Sequence, residues 1–230
     1  MTTLGLIGGV GPESTIEYYR LLVEKYRAQA GGTYPPVIIN SVDLKRLIEW
    51  ITAGELGKIA DYLVIEIEKL QNAGVTFGAM ASNTPHIVFD EIQERTTLPL
   101  VSIVEATCDQ VKSMGLSRVG LFGTRFTMTS RFYPDVFTKA GIELILPNED
   151  EQSVIHGKYM GELLNNLFLP QTRAELLTIV DHLKERQGIE ALILGGTELP
   201  LLLRDSEHNG VTLLDTTHIH VDRLVKELLG

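Results

Sequence analysis

A short glycine-bearing strand motif occurs twice in this chain, and the repetition constrains the fold more than any other feature. Gly5-Leu6-Ile7-Gly8 returns as Gly120-Leu121-Phe122-Gly123, 115 positions later. Thr84, at the end of one apolar run, corresponds to Thr197 at an offset of 113, and Leu100-Val101-Ser102 corresponds to Leu213-Leu214-Asp215 at the same offset. One such match is chance likeness among apolar strands; three in the same order argue for an ancient duplication. Between the matches, short apolar runs alternate with helical patterns, which predicts parallel strands joined by helical crossovers. Strands are expected at 4–7, 37–40, 77–81, 100–103, 119–122, 142–146, 191–194 and 211–214. The first crossover helix reads as Ile16, Tyr19, Leu22, Val23 and Tyr26 at helical spacing, and a longer one spans 57–73 before Gly74. The fold class is therefore α/β: two pseudo-symmetric lobes, each a parallel sheet flanked by helices. Residues 1–98 with 208–230 are assigned to the first lobe and 99–207 to the second. Open α/β sheets bind ligands at the carboxyl ends of their strands. The loops at 8–15, 82–86, 123–130 and 195–199 are accordingly expected to converge on a cleft between the lobes.

Charge and composition narrow the partners. Twenty basic side chains against 30 acidic ones give a net charge of −10, which argues against nucleic acid and anionic membrane as partners. The 44% hydrophobic content suits a packed domain, no run of about 18 apolar residues is present, and no signal peptide is visible. The cytoplasm is the expected compartment. Cys108 is the single cysteine, so an intrachain disulfide and a cysteine-rich zinc site are both excluded. It lies in a helix between apolar neighbours and reads as a small buried hydrophobe. The six histidines lack metal-ligand spacing; His218 and His220 fit a solvated or hydrogen-bonded helix start. No cofactor and no metal are expected.

The strand-end loops carry the chemistry. Gly8-Gly9-Val10-Gly11-Pro12 lacks the third glycine of a dinucleotide fingerprint and is not followed by a P-loop lysine. Its Val10-Gly11 turn and the helix start behind it suit a carboxylate better than a nucleotide. Ser82-Asn83-Thr84 offers short donors for a small carboxylate, and equally suits a helix cap. His86 just beyond could orient a substrate or cap a helix. Thr124 and Thr127 beside Arg125, and Thr197 beside Glu198, repeat the pattern in the second half.

At these loops the chain resembles the aspartate/glutamate racemase family of cofactor-independent amino-acid racemases. The resemblance runs over nearly the whole length. It is carried by Gly8-Gly9-Val10-Gly11-Pro12-Glu13-Ser14-Thr15, Asn40-Ser41-Val42-Asp43, Ser82-Asn83-Thr84-Pro85-His86, Leu121-Phe122-Gly123-Thr124-Arg125-Phe126-Thr127-Met128 and Gly195-Gly196-Thr197-Glu198-Leu199-Pro200. It implies two pseudo-symmetric lobes, an active site between them, a small amino acid or dicarboxylate ligand, no pyridoxal phosphate, no metal and a homodimer. It also implies a pair of thiols, one on each face of Cα, that remove and return a proton. The first thiol position falls on Ser82 and the second on Gly196, so neither face keeps its cysteine. Asn83, Thr84 and Thr197 would hold the substrate α-carboxylate, with Val10, Gly11, Thr124 and Thr127 lining the site. Arg46, Arg125 or Arg131 would select a second carboxylate.

Three functions follow. The first is an enzyme acting at Cα with replaced acid/base groups, Ser82 on one face and Glu198, His86 or a water on the other. The second is a lyase or isomerase with a one-sided base, and the third a non-catalytic binder of a small acidic metabolite.

Overall fold

The computed structural model describes residues 2–230, which form two compact units. The first comprises residues up to Ile103 together with His220–Gly230, and the second Val104–Ile219. In chain order the first unit contains β1 (Leu4–Gly8), α1 (Pro12–Gln29), β2 (Val37–Ser41), α2 (Leu44–Thr52), α3 (Leu56–Asn72), β3 (Phe77–Met80), α4 (Phe89–Arg95) and β4 (Leu100–Val101). Helix α5 (Ile103–Ser113) leads into the second unit. There follow β5 (Arg118–Gly123), α6 (Arg125–Thr129), α7 (Phe132–Lys139), β6 (Glu143–Ile145), α8 (Glu149–Gly161), α9 (Pro170–Gln187), β7 (Ala191–Gly195), α10 (Leu199–Leu202), β8 (Glu207–His208) and β9 (Val211–Asp215). Helix α11 (Thr216–Leu229) returns the chain to the first unit.

The first sheet has the order β2-β1-β3-β4, every pair parallel. The second has the order β6-β5-β7-β9-β8, parallel except for the terminal β8–β9 pair. Strand for strand, β5, β6, β7 and β9 repeat the arrangement of β1, β2, β3 and β4. The three sequence matches therefore fall on equivalent strands or on the loops that follow them. Strands β1, β3 and β7 are buried along their whole length, as the central strands of a helix-covered parallel sheet must be. That double burial is why they read as unbroken apolar runs.

The unit boundaries differ from those expected from sequence, at 103/104 and 219/220 rather than 98/99 and 207/208. Strand pairing explains both shifts. Leu100 and Val101 pair with β3 and so belong to the first sheet, whereas β9 pairs with β7 and holds residues 211–215 in the second. The buried face of α1 also differs. Ser14, Tyr18, Leu21 and Leu22 are buried, while Ile16 and Tyr19 are 61% and 50% exposed. A buried serine is what displaced the expected stripe, because hydrophobic periodicity cannot register a polar core residue.

The core of the first unit joins Leu4, Leu6, Tyr18, Leu21, Leu22, Phe77 and Ala79 to Val221, Leu224, Val225 and Leu228 of α11. His220 opens that helical stretch and is fully buried, not solvated. One ring nitrogen, Nδ1, lies 2.9 Å from the Tyr18 hydroxyl and the other, Nε2, 3.1 Å from the Val101 carbonyl oxygen. Burial pushes its pKa down to about 4. In the second unit Phe122, Met128, Ile155, Tyr159, Leu163, Leu176, Leu192 and Leu194 share one core. Cys108 is buried, and burial raises its thiol pKa. Among the described residues, no helix is long and apolar enough to cross a membrane.

Candidate functional site

In the first unit, two loops stand at the carboxyl ends of neighbouring strands. After β1 the backbone turns through Gly11 at φ 90°, a conformation that disfavours any residue with a Cβ, and Pro12 starts α1. The turn is braced from within: the Gly9 N–H donates to Thr15 Oγ1 at 2.9 Å, and the Thr15 hydroxyl lies 3.3 Å from the Gly11 carbonyl. Val10 and Gly11 are both buried.

After β3, Ser82 and Asn83 are buried at the strand end, and Thr84 begins a short 3₁₀ turn. The Asn83 side chain does not cap that turn. His86 fixes the loop instead. Its Nδ1 donates to the Ser82 carbonyl oxygen at 3.0 Å, which leaves Nε2 to accept the Ile103 N–H at 3.3 Å. Its ring stacks on Phe89 at 5.0 Å. Burial, with His220 nearby, lowers its pKa to about 3. A neutral imidazole with both nitrogens engaged orients the Ser82 backbone.

The second unit repeats the loops with different chemistry. Thr124 is the N-cap of α6, its Oγ1 accepting the Thr127 N–H at 3.2 Å and lying 3.1 Å from Thr127 Oγ1. Here the capping role is realised. Arg125 is exposed, and its backbone N–H donates to His156 Nδ1 at 3.1 Å. Arg131 is paired with Asp135 at 2.9 Å, and Arg46 of the first unit lies over the Tyr62 ring at 5.9 Å.

After β7, Gly196, Thr197 and Glu198 are all buried. Glu198 Oε2 accepts a hydrogen bond from the Tyr159 hydroxyl and one from the Thr197 hydroxyl at 3.2 Å. Tyr159 reaches this point from α8. That helix starts in a capping box, with Asn148 and Glu151 bonded reciprocally. Glu151 in turn accepts two hydrogen bonds from Arg186 of α9, each 2.8 Å long. Tyr159 was invisible from sequence because it lies 39 residues from Glu198 and shares no motif with it. The one trace of it is Gly196 itself: an ideal Cβ built there would sit 2.4 Å from Tyr159 Cε2 and 2.8 Å from its hydroxyl oxygen. Among the described residues, no three His, Cys, Asp or Glu side chains are grouped as for a metal ion.

Two parallel β/α units of matching topology, with short hydroxyl and amide side chains at their strand ends, define the class of protein. The chain belongs to the Asp/Glu/hydantoin racemase family, whose model matches residues 7–224. It is 26% identical over 220 residues to the broad-specificity amino-acid racemase RacX of Bacillus subtilis, covering 93% of this chain and 92% of RacX. A crystal structure from Yersinia pestis is 34% identical over the whole of both chains, with a TM-score of 0.91. An aspartate racemase homologue from Pyrococcus horikoshii is 32% identical, again over both whole chains, with a TM-score of 0.83.

Proposed function

We propose that the protein is an enzyme acting at Cα of a small amino acid or dicarboxylate, without pyridoxal phosphate or metal. The observation that carries this reading is the equivalence of two loops. Asn83 and Thr84 follow β3, and Thr197 follows β7, the strands that hold the same place in the two sheets. These three side chains are the proposed donors to the substrate α-carboxylate, and Arg125 or Arg46 the proposed partner of a second carboxylate. Breaking the Cα–H bond leaves its electron pair on Cα, delocalised into the carboxylate. Donors to those oxygens stabilise that charge; the Thr197 hydroxyl, which donates to Glu198 in the free protein, turns to the substrate on binding. Ser82 is proposed to serve one face of Cα and Glu198 the other. His86 has no spare nitrogen for proton transfer and is proposed to hold Ser82 in place. A cytoplasmic homodimer is proposed on family resemblance, and sedimentation velocity reads the dimer.

Both enantiomers of aspartate and glutamate should lose their Cα proton to deuterium in deuterated water. Exchange from neither amino acid refutes the reading. The absence of a side chain at Gly196 favours one competing reading, a one-sided base that starts an elimination or isomerisation. Deuterium entering one enantiomer alone, with a new product and no inversion, would mark that outcome.

A further inference from the structure

Gly196 and Tyr159 share one space. A Cβ at 196 would stand 2.4, 2.8 and 2.9 Å from Tyr159 Cε2, its hydroxyl oxygen and Cζ. These are closer than van der Waals contact allows, so the ring and a side chain at 196 exclude each other. The ring is no loose filler. Tyr159 is 5% exposed, lies in the core with Ile155 and Leu163, and is carried on a helix anchored by the Asn148–Glu151–Arg186 cluster. What it places in the space is a phenol hydroxyl bonded to Glu198, itself 3% exposed. The Thr197 hydroxyl donates to the same carboxylate oxygen.

We propose that Tyr159 is a positioning residue for Glu198: it takes the place of a side chain at 196 and holds the carboxylate that moves the proton on the second unit's face. The proposal rests on the Cα chemistry above and deepens it. Glu198 accepts the Cα proton. The C–H bond breaks, the pair stays on Cα, and an O–H bond forms on the carboxylate; the return step reverses this. Tyr159 transfers no proton. Burial, and then the Glu198 charge, raise its pKa well above the usual phenol value, so the hydroxyl stays a donor. A hydrogen bond to a charged group fixes one oxygen and so aims the other, which a mobile carboxylate would not achieve.

The test compares wild type, Tyr159→Phe, Glu198→Gln and the double variant by deuterium exchange into each enantiomer of aspartate and glutamate. Phenylalanine keeps the ring and removes only the hydroxyl. Tyr159→Phe should lower kcat on the order of tenfold with KM unchanged. In the Glu198→Gln background the same change should cost nothing further, because a residue that acts through Glu198 has nothing left to position. A Tyr159→Phe variant with wild-type kcat, or equal losses in both backgrounds, overturns the proposal while leaving the Cα chemistry standing. A wild type inert toward all four substrates overturns both. Space sharing is read separately from melting temperatures. Gly196→Ala should lower the melting temperature, and Tyr159→Ala should cost less in the Gly196→Ala chain than in wild type, because the clash goes with the ring. An unchanged melting temperature in Gly196→Ala also overturns the proposal.

Discussion

Acidification from pH 7 to pH 5 should destabilise the first unit by about 4 kcal/mol, and two buried histidines set the figure. His86 and His220 are fully buried with both ring nitrogens engaged, and their pKa values are pushed down to about 3 and about 4. In the unfolded chain each titrates near the ordinary value of about 6.5. Below that value the unfolded state binds protons that the folded state refuses, so stability present at pH 7 is lost as the pH falls. One pH unit in this window costs about 1.4 kcal/mol per histidine, or roughly 2 kcal/mol each between pH 6.5 and pH 5. Glu66, whose pKa is lowered although burial opposes it, loses its stabilisation only below about 4.5 and stays out of this range. Trp50, the single tryptophan, lies in α2 of the same unit, so its fluorescence during urea unfolding reports the right part of the molecule. Equal unfolding free energies at the two pH values would refute the reasoning. So would a His86→Gln, His220→Gln double variant that keeps the full pH dependence.

Other consequences are more local. Ser82→Cys should raise the rate of Cα exchange, because a thiol titrates far closer to neutrality than an alcohol; an unchanged rate would remove residue 82 from proton transfer. Asn148→Ala breaks the capping box of α8 and should cost about 1 kcal/mol in chemical denaturation, with kcat falling as Tyr159 loses its anchor. Leu224→Ala empties a fully buried position in α11 and should cost about 2–5 kcal/mol, read by the same Trp50 transition.

The sheets were legible because their central strands are buried on both faces and so write continuous apolar runs. The duplication was legible because β1, β3 and β4 kept their order in β5, β7 and β9. Polar residues inside the protein were not legible. Ser14 turned the buried face of α1 away from Ile16 and Tyr19, and His220 sits inside the core. Position in a motif does not tell which polar side chain caps the turn that follows. Thr124 proved to be a cap, whereas the Asn83 side chain does not cap its turn. Tyr159 was out of reach for a different reason. Its partner lies on another element, and only three-dimensional packing reveals that a glycine's missing side chain has been supplied from elsewhere.

The return of α11 to the first unit governs how the chain must be made. Leu4 and Leu6 are synthesised more than 200 residues before the residues that seal them, Val221 to Leu228. The segment 104–219 is contiguous and can close as soon as it is synthesised, while the amino-terminal strands wait with their apolar surface uncovered. Released chains truncated before residue 220 should therefore hold one finished unit and one half with its apolar surface uncovered.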